Sequence, residues 1–273
     1  MPPKLGIIAG GGPLPQRLID HCSATGREVF VVALDGHVEP SMMAQDNVVA
    51  IRPGAAGRIL SVLNQEKVEE LVIVGAVKRP SMLTVLPDWG GIKFLCRVGW
   101  RAFRGDDQLL KAIAQEIERV GFKVIGVHEV LPELLAPVGI IGSIEANADR
   151  SADIELGIRA AKNLGVQDLG QAVVVADGKV MAEEGKRGTN ALLSHASYNT
   201  ASKPILVKMC KPQQDRRLDM PTVGENTVKL AAEAGFAGIV VEADKTLMAD
   251  REAAIATANA AGLFILGVET DYV

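Results

Sequence analysis

An α/β fold in two domains is what this sequence predicts, on three observations. Short apolar runs of strand length alternate with amphipathic helical stretches through the first half, the rhythm of a doubly wound parallel sheet. The 273 residues exceed one typical domain. Hydrophobic residues make up 48% of the chain and aromatics only 4%, so the packing is aliphatic, as in sheets covered by helices.

The elements follow in order. Leu5–Ala9 reads as a strand, 13–24 as a helix with proline in its first turn, and 28–34 as a second strand. A weaker strand falls at Val48–Ile51 and a helix at 55–65. The continuous apolar run 71–77 suits a buried parallel strand, followed by an amphipathic helix at Asp106–Arg119 and a strand at 123–127. The pattern weakens over 137–149, where small and polar residues collect. This gives a Rossmann-like N-terminal domain at 1–136, a linker at 137–149 and a second α/β domain at 150–273. The second half restarts with a helix over 151–164 closed by Gly165 and a hairpin of 171–176 and 179–184 around Asp177-Gly178. Then come a helix at 189–196, a strand at 205–209, a helix at 223–234 ended by Gly235, the strand Gly238–Glu242, the helix Arg251–Ala261 and the strand Phe264–Val268.

The chemistry concentrates after the 205–209 strand. Pro212 and Pro221 keep the following residues out of regular structure, so Asp215 and Asp219 stand on a loop with Lys208, Lys211, Arg216 and Arg217. Carboxylate oxygens are ligands that Mg²⁺ prefers, it takes substrate phosphate oxygens as well, and the cations could neutralise what charge remains. The plainer alternative is that the two aspartates pair with the neighbouring arginines on a solvated loop. In the first half, Gly10, Gly11 and Gly12 follow a strand and open a helix, a place where free amide N–H groups bind phosphate. A tight turn needing glycine is the alternative. The third glycine of a dinucleotide fingerprint is replaced by Pro15, which counts against NAD. Lys78 and Arg79, before Pro80, read as cations at the ligand edge of the sheet, or as merely solvated.

With its flanks, the loop resembles the signature of the LpxI family, the UDP-2,3-diacylglucosamine pyrophosphatases of lipid A synthesis, K-P-x-Q-D-x-R-x-D-x-P-T-x-G. Here it stands as Lys211, Pro212, Gln214, Asp215, Arg217, Asp219, Pro221, Thr222 and Gly224. The likeness extends to residues 6–15, 75–80, 105–110, 131–137, 168–175 and 262–268. It implies hydrolysis of the diphosphate of a UDP-linked diacylated glucosamine at the α-phosphorus, giving UMP and the lipid 1-phosphate. It further implies a divalent metal, Mg²⁺ or Mn²⁺, on Asp219, Asp215 and Glu184. Asp219 is the leading catalytic candidate, with Asp215, Lys211, Arg217, Thr189 and Asn190 beside it. Gly10, Gly11, Gly12, Lys78, Arg79 and Thr222 are the candidate substrate contacts, and the substrate is expected between the two domains. One departure stands out: the family's E-G-T-D is Arg187-Gly188-Thr189-Asn190 here. An asparagine oxygen still coordinates or accepts, yet it carries no charge and cannot act as a base.

Composition excludes other classes. A net charge of −4 provides no basic field for a nucleic acid. Cys22, Cys96 and Cys210 lie far apart, which suggests reduced thiols in the cytoplasm rather than a disulfide framework. His21, His37, His128 and His195 have no metal spacing and read as surface or satisfied core unless the fold gathers them. Asp106 and Asp107 read as a helix cap. The stretch 91–104, if helical, lines up Lys93, Arg97, Arg101 and Arg104 beside Trp100. That is either a helix lying on the inner membrane or roofing an acyl pocket, or a docked core helix with a solvated basic edge. The expected partners are an amphiphilic UDP-sugar lipid, that peripheral membrane contact, and a second copy in a homodimer. Two other functions remain: a non-catalytic lipid-phosphate or nucleotide-sugar binding protein, and an NAD-linked oxidoreductase.

Overall fold

The computed structural model describes residues 2–77, 88–98, 106–194 and 200–270, which form two units. Lys78, Arg79, Trp100, Arg101, Arg104 and His195 lie outside the described residues, and so do the side chains of Arg97, Asp106 and Asp107. The first unit comprises residues 1–132 together with 215–219, and the second comprises 133–214 and 220–273.

In the first unit, β1 (Leu5–Ala9), β2 (Val29–Leu34), β3 (Val48–Ile51), β4 (Glu70–Val74) and β5 (Lys123–Val124) form an all-parallel sheet of order β3-β2-β1-β4-β5. β1 is the middle strand and every one of its residues is buried, which is why it reads as an unbroken apolar run. The helices α1 (Leu14–Thr25), α2 (Ala56–Gln65), α3 (Trp89–Val98), α4 (Asp106–Arg119) and α5 (Val127–Val130) complete the unit. Ile59 and Leu63 of α2 and Ala114 and Ile117 of α4 share a core with Ile8, Val32, Ile51, Leu71 and Val124 of the sheet.

The second unit carries a mixed six-stranded sheet. Its strands are β6 (Gly139–Ile140), β7 (Ala172–Ala176), β8 (Lys179–Glu183), β9 (Ile205–Lys208), β11 (Gly238–Glu242) and β13 (Phe264–Val268), in the order β6-β13-β11-β9-β7-β8. Only β9, β11 and β13 run parallel; β6 and the β7–β8 hairpin join antiparallel. A separate pair, β10 (Thr222–Val223) and β12 (Leu247–Met248), is parallel. Period-two alternation sorts the side chains onto two faces. Val173, Val175, Val207 and Val240 pack with Ala161 and Leu164 of α6 (Ser151–Val166). Val174, Leu206, Ile239 and Val241 pack under α7 (Gly188–Ser194), α8 (Glu225–Glu233) and α9 (Arg251–Ala261).

Several boundaries differ from the sequence reading, each for a local reason. β4 stops at Val74 rather than 77, because Gly75 takes φ 98° and the next residue, Ala76, pairs back antiparallel with Gly11. The strand expected over 123–127 is only two residues long. Val127 instead opens α5, where the Glu129 carboxylate accepts the Gly126 N–H. α6 continues through Gly165 to Val166, and the left-handed residue after it is Asp168 at φ 57°. At Gly165 a Cβ would make only ordinary contact with Lys211, 3.4 Å away, and the helix runs on past it. The segment 137–149 carries β6 and the buried Ile141.

Candidate active site

Within the first unit the strand order reverses between β1 and β4, the point at which ligands collect in open parallel sheets. Gly10, Gly11 and Gly12 lie there. The Gly10 N–H donates to the Val74 carbonyl and the Gly11 N–H to the Ala76 carbonyl, both at 2.8 Å. A Cβ on Gly10 would sit 2.7 Å from the Ala76 oxygen, so this glycine is needed for two backbones to touch. Pro13 and Pro15 lack N–H groups. Gly12, exposed at φ 97°, is the member of the triplet that faces open space.

Residues 215–219 belong to the same unit. Leu218 packs against its core. The turn is drawn tight by the Leu218 and Asp219 N–H groups, which both donate to the Asp215 carbonyl at 2.9 Å. Arg217 grips Asp215 with a fork, Nε to Oδ1 at 3.0 Å and Nη2 to Oδ2 at 2.8 Å, and its own N–H adds a third bond. Nη1 reaches Glu118 and the Val124 carbonyl. Arg217 holds the Asp215 carboxyl below the usual aspartate range, and Lys111 adds to the effect. Among these residues stands His128, half-buried. Burial first, and then Arg216, push its pKa down, so it is held neutral. Its Nδ1 is shut away from water with no hydrogen-bond partner among the described residues.

The second unit holds the two ends of the signature. The Cys210 N–H donates to Glu242, only 1% exposed, whose other oxygen takes Lys245 and Thr270. Lys208, buried in β9, donates from Nζ to the Thr222 carbonyl at 3.0 Å. Between them Lys211 and Gln214 close a turn on each other: Gln214 N–H to the Lys211 carbonyl at 3.1 Å, Lys211 N–H to Gln214 Oε1 at 3.3 Å. The Lys211 ammonium pairs with Asp168 at 2.8 Å.

Glu184 and Thr189 are a buried pair in this unit, 8% and 9% exposed. The Thr189 hydroxyl donates to Oε1 at 2.5 Å, and the Gln171 N–H donates to Oε2 at 2.8 Å. A hydroxyl has one proton, so in this arrangement Thr189 has none left for a second acceptor. Asn190 is exposed on the first turn of α7, and Arg187 is exposed just before it.

Among the candidates, then, Asp215, Arg217 and Asp219 come together in the first unit. Glu184 and Thr189 pair in the second, which also holds Asn190, Lys211 and Thr222. Among the described residues no three His, Cys, Asp or Glu side chains converge as a metal cage. Asp215 and Asp219 lie on one turn, the Asp219 N–H donating to the Asp215 carbonyl, and carboxylate oxygens are the donor type Mg²⁺ takes together with water and phosphate. Asp168 and Glu118 escaped the sequence reading as site residues, and His128, read as surface or satisfied core, is half-buried with its Nδ1 unsatisfied among the described residues. Asp168 lies inside a family-like segment, but no sequence pattern ties Glu118 to Arg217, 99 residues away.

Comparison with known proteins agrees with the signature. The family model of the LpxI N-terminal domain matches residues 4–134, and that of the LpxI C-terminal domain matches residues 137–266. The UDP-2,3-diacylglucosamine pyrophosphatase LpxI of Caulobacter vibrioides is 39% identical over 274 residues, 97% of this chain and 98% of that one. A solved structure of glycinamide-RNase-transformylase T from Mycobacterium tuberculosis is 17% identical. It covers 66% of this chain and 44% of its own at a TM-score of 0.24, too low to carry an argument. On the near-complete match to the Caulobacter protein, the chain belongs to the LpxI family.

Proposed function

We propose that this protein hydrolyses the diphosphate of UDP-2,3-diacylglucosamine, giving UMP and 2,3-diacylglucosamine 1-phosphate. The observation that carries the reading is the 39% identity to a pyrophosphatase of that substrate across 97% of the chain, with Asp215 and Asp219 of the signature folded onto one turn. In the proposed reaction water attacks the α-phosphorus, a new P–O bond forms, and the bridging bond to the lipid phosphate breaks. Asp219 positions that water and accepts its proton. Lys211 and Arg217 offset the charge that grows on the phosphorane-like oxygens. A Mg²⁺ or Mn²⁺ ion on Asp215 and Asp219 would supply further neutralising charge. Glu184, with both oxygens engaged inside the second unit, orients Thr189 and the first turn of α7. Gly12, Lys78, Arg79 and Thr222 are the proposed nucleotide-side contacts. The same reading puts the protein in the cytoplasm.

The test is UMP release from the lipid substrate with Mg²⁺ or Mn²⁺ in ¹⁸O-water. The label is expected in UMP, and Asp219→Ala is expected to abolish release. No UMP above background with either ion, or label in the lipid phosphate, overturns the proposal. A second reading, a non-catalytic binder of the same lipid, is favoured by Asn190 standing where the family carries an acid. It predicts binding without UMP release, with release gained in Asn190→Asp.

A further inference from the structure

In the second unit, both stems of the signature are held by buried charged side chains. The chain leaves β9 after Lys208 and re-enters regular structure at Thr222 of β10. Lys208, 6% exposed, sends its Nζ to the Thr222 carbonyl at 3.0 Å, so one side chain ties the outgoing stem to the returning one. β11 runs parallel to β9 with Val241 beside Lys208, and its last residue is Glu242. That carboxylate, 1% exposed, accepts the Cys210 N–H through Oε2 at 2.9 Å. Its Oε1 takes Lys245 at 2.8 Å and the Thr270 hydroxyl at 2.5 Å. The remaining residues of β9 and β11 are Ile, Leu, Val and Gly. Burying a charge costs free energy, and apolar residues of the same volume often pack as stably, so packing alone does not explain these two. What they hold are main-chain groups at two candidate site residues. Cys210 immediately precedes Lys211, whose N–H and carbonyl close the turn with Gln214. Thr222 is held at its own carbonyl. Both charges stand at the carboxyl ends of parallel strands, where ligands gather in such sheets.

We propose that Glu242 and Lys208 are positioning residues for the hydrolysis. Glu242 acts through the Cys210 N–H on Lys211, and Lys208 acts through the Thr222 carbonyl on Thr222. The inference rests on the hydrolase reading, which gives Lys211 and Thr222 their roles. Lys211 meets charge that grows only in the transition state, so misplacing it lowers kcat. Thr222 contacts the nucleotide in the ground state and the transition state alike, so misplacing it raises KM. The two stems therefore separate in the kinetics.

The experiment measures kcat and KM for UMP release by the full chain with Mg²⁺, beside melting midpoints. Glu242→Met removes the acceptor of the Cys210 N–H at similar volume and is expected to lower kcat about hundredfold with KM within about threefold. Glu242→Gln keeps a carbonyl oxygen for that N–H and is expected to bring kcat back to within about fivefold of wild type. Lys245→Met strips the other oxygen of its cation. It is expected to lower the midpoint while leaving kcat within about threefold, which separates lost stability from lost position. In a Lys211→Met background, Glu242→Met is expected to cost less than about threefold more, because its route is gone. Lys208→Met is expected to raise KM about tenfold with kcat within about threefold. Should Glu242→Met fail to fold, Glu242→Asp, one methylene shorter, takes its place. Full additivity of Glu242→Met with Lys211→Met overturns the proposal, and so does a kcat loss in Lys245→Met as large as that in Glu242→Met. An unchanged KM in Lys208→Met overturns the role of Lys208. Wild type that releases no UMP refutes the hydrolase reading, whereas release that Glu242→Met leaves untouched refutes the positioning role alone.

Discussion

Replacing Thr189 by valine keeps the shape of a buried side chain and removes one donor. The hydroxyl lies 2.5 Å from Glu184 Oε1, and both residues are less than a tenth exposed, so solvent cannot replace the lost bond. A hydrogen bond to a buried charged group contributes about 1.5–3 kcal/mol, and a carboxylate left short of a donor keeps the whole loss. Taking about 2 kcal/mol, and about 2–4 °C per kcal/mol in a protein of this size, the melting midpoint should fall by roughly 4–8 °C. Catalysis should suffer less. Because the single Thr189 proton is directed at Glu184, the valine variant should lose under about tenfold in kcat for UMP release, where a lost transition-state donor costs about 10²–10³. Thr189→Ser, which keeps the hydroxyl, should recover most of the midpoint. The assays are thermal melting and steady-state UMP release on the same preparations. An unchanged midpoint combined with a hundredfold fall in kcat would place the proton on the phosphate and refute the argument.

The other predictions are independent of that pair. Arg217→Lys keeps the charge but cannot reproduce the fork on Asp215. With Arg217 about a third exposed, the stability loss should be only about 1 kcal/mol, and kcat/KM should fall about 10²-fold. The loss should be smaller when Asp215→Asn is already present. His128 has a folded-state pKa below its ordinary value near 6.5, so above pH 6.5 it is neutral in both states and costs nothing. As pH falls below that value the unfolded chain takes the proton first, and stability is lost until the folded pKa is also passed. His128→Asn should therefore flatten the acid side of a melting-midpoint against pH curve, down to the carboxylate range. Chelation by EDTA should abolish UMP release, and added Mg²⁺ or Mn²⁺ should restore it.

The regular frame was legible because its signals are local. β1, β3, β11, α9 and β13 fall where apolar runs and caps put them, and the Asp177-Gly178 turn has both residues at positive φ, as a tight hairpin requires. Two-residue strands such as β6, β10 and β12 are too short for any period to register, and they exist only because a partner strand supplies the hydrogen bonds. The candidate site was legible as a set of residues and not as an arrangement. Asp215 was read either as a metal ligand or as an arginine's partner, and the fold gives it Arg217 without withdrawing all its lone pairs. Glu184 was read as a further acid of the site, and the fold gives each of its oxygens one donor, Gln171 and Thr189, partners that its place in the sequence did not announce. Such pairings depend on folded distance, which sequence spacing does not encode.

Leu218 has a practical meaning for anyone cutting this protein in two. A fragment ending at residue 132 carries every strand of the first sheet but lacks the partly buried Leu218 that packs against its hydrophobic core, and it leaves Glu118 without the guanidinium of Arg217. Such a piece should express as a loosened, dye-binding species, and a synthetic peptide spanning 215–219 is too short to return the missing anchor. The boundary that looks natural along the chain is therefore the wrong place for scissors.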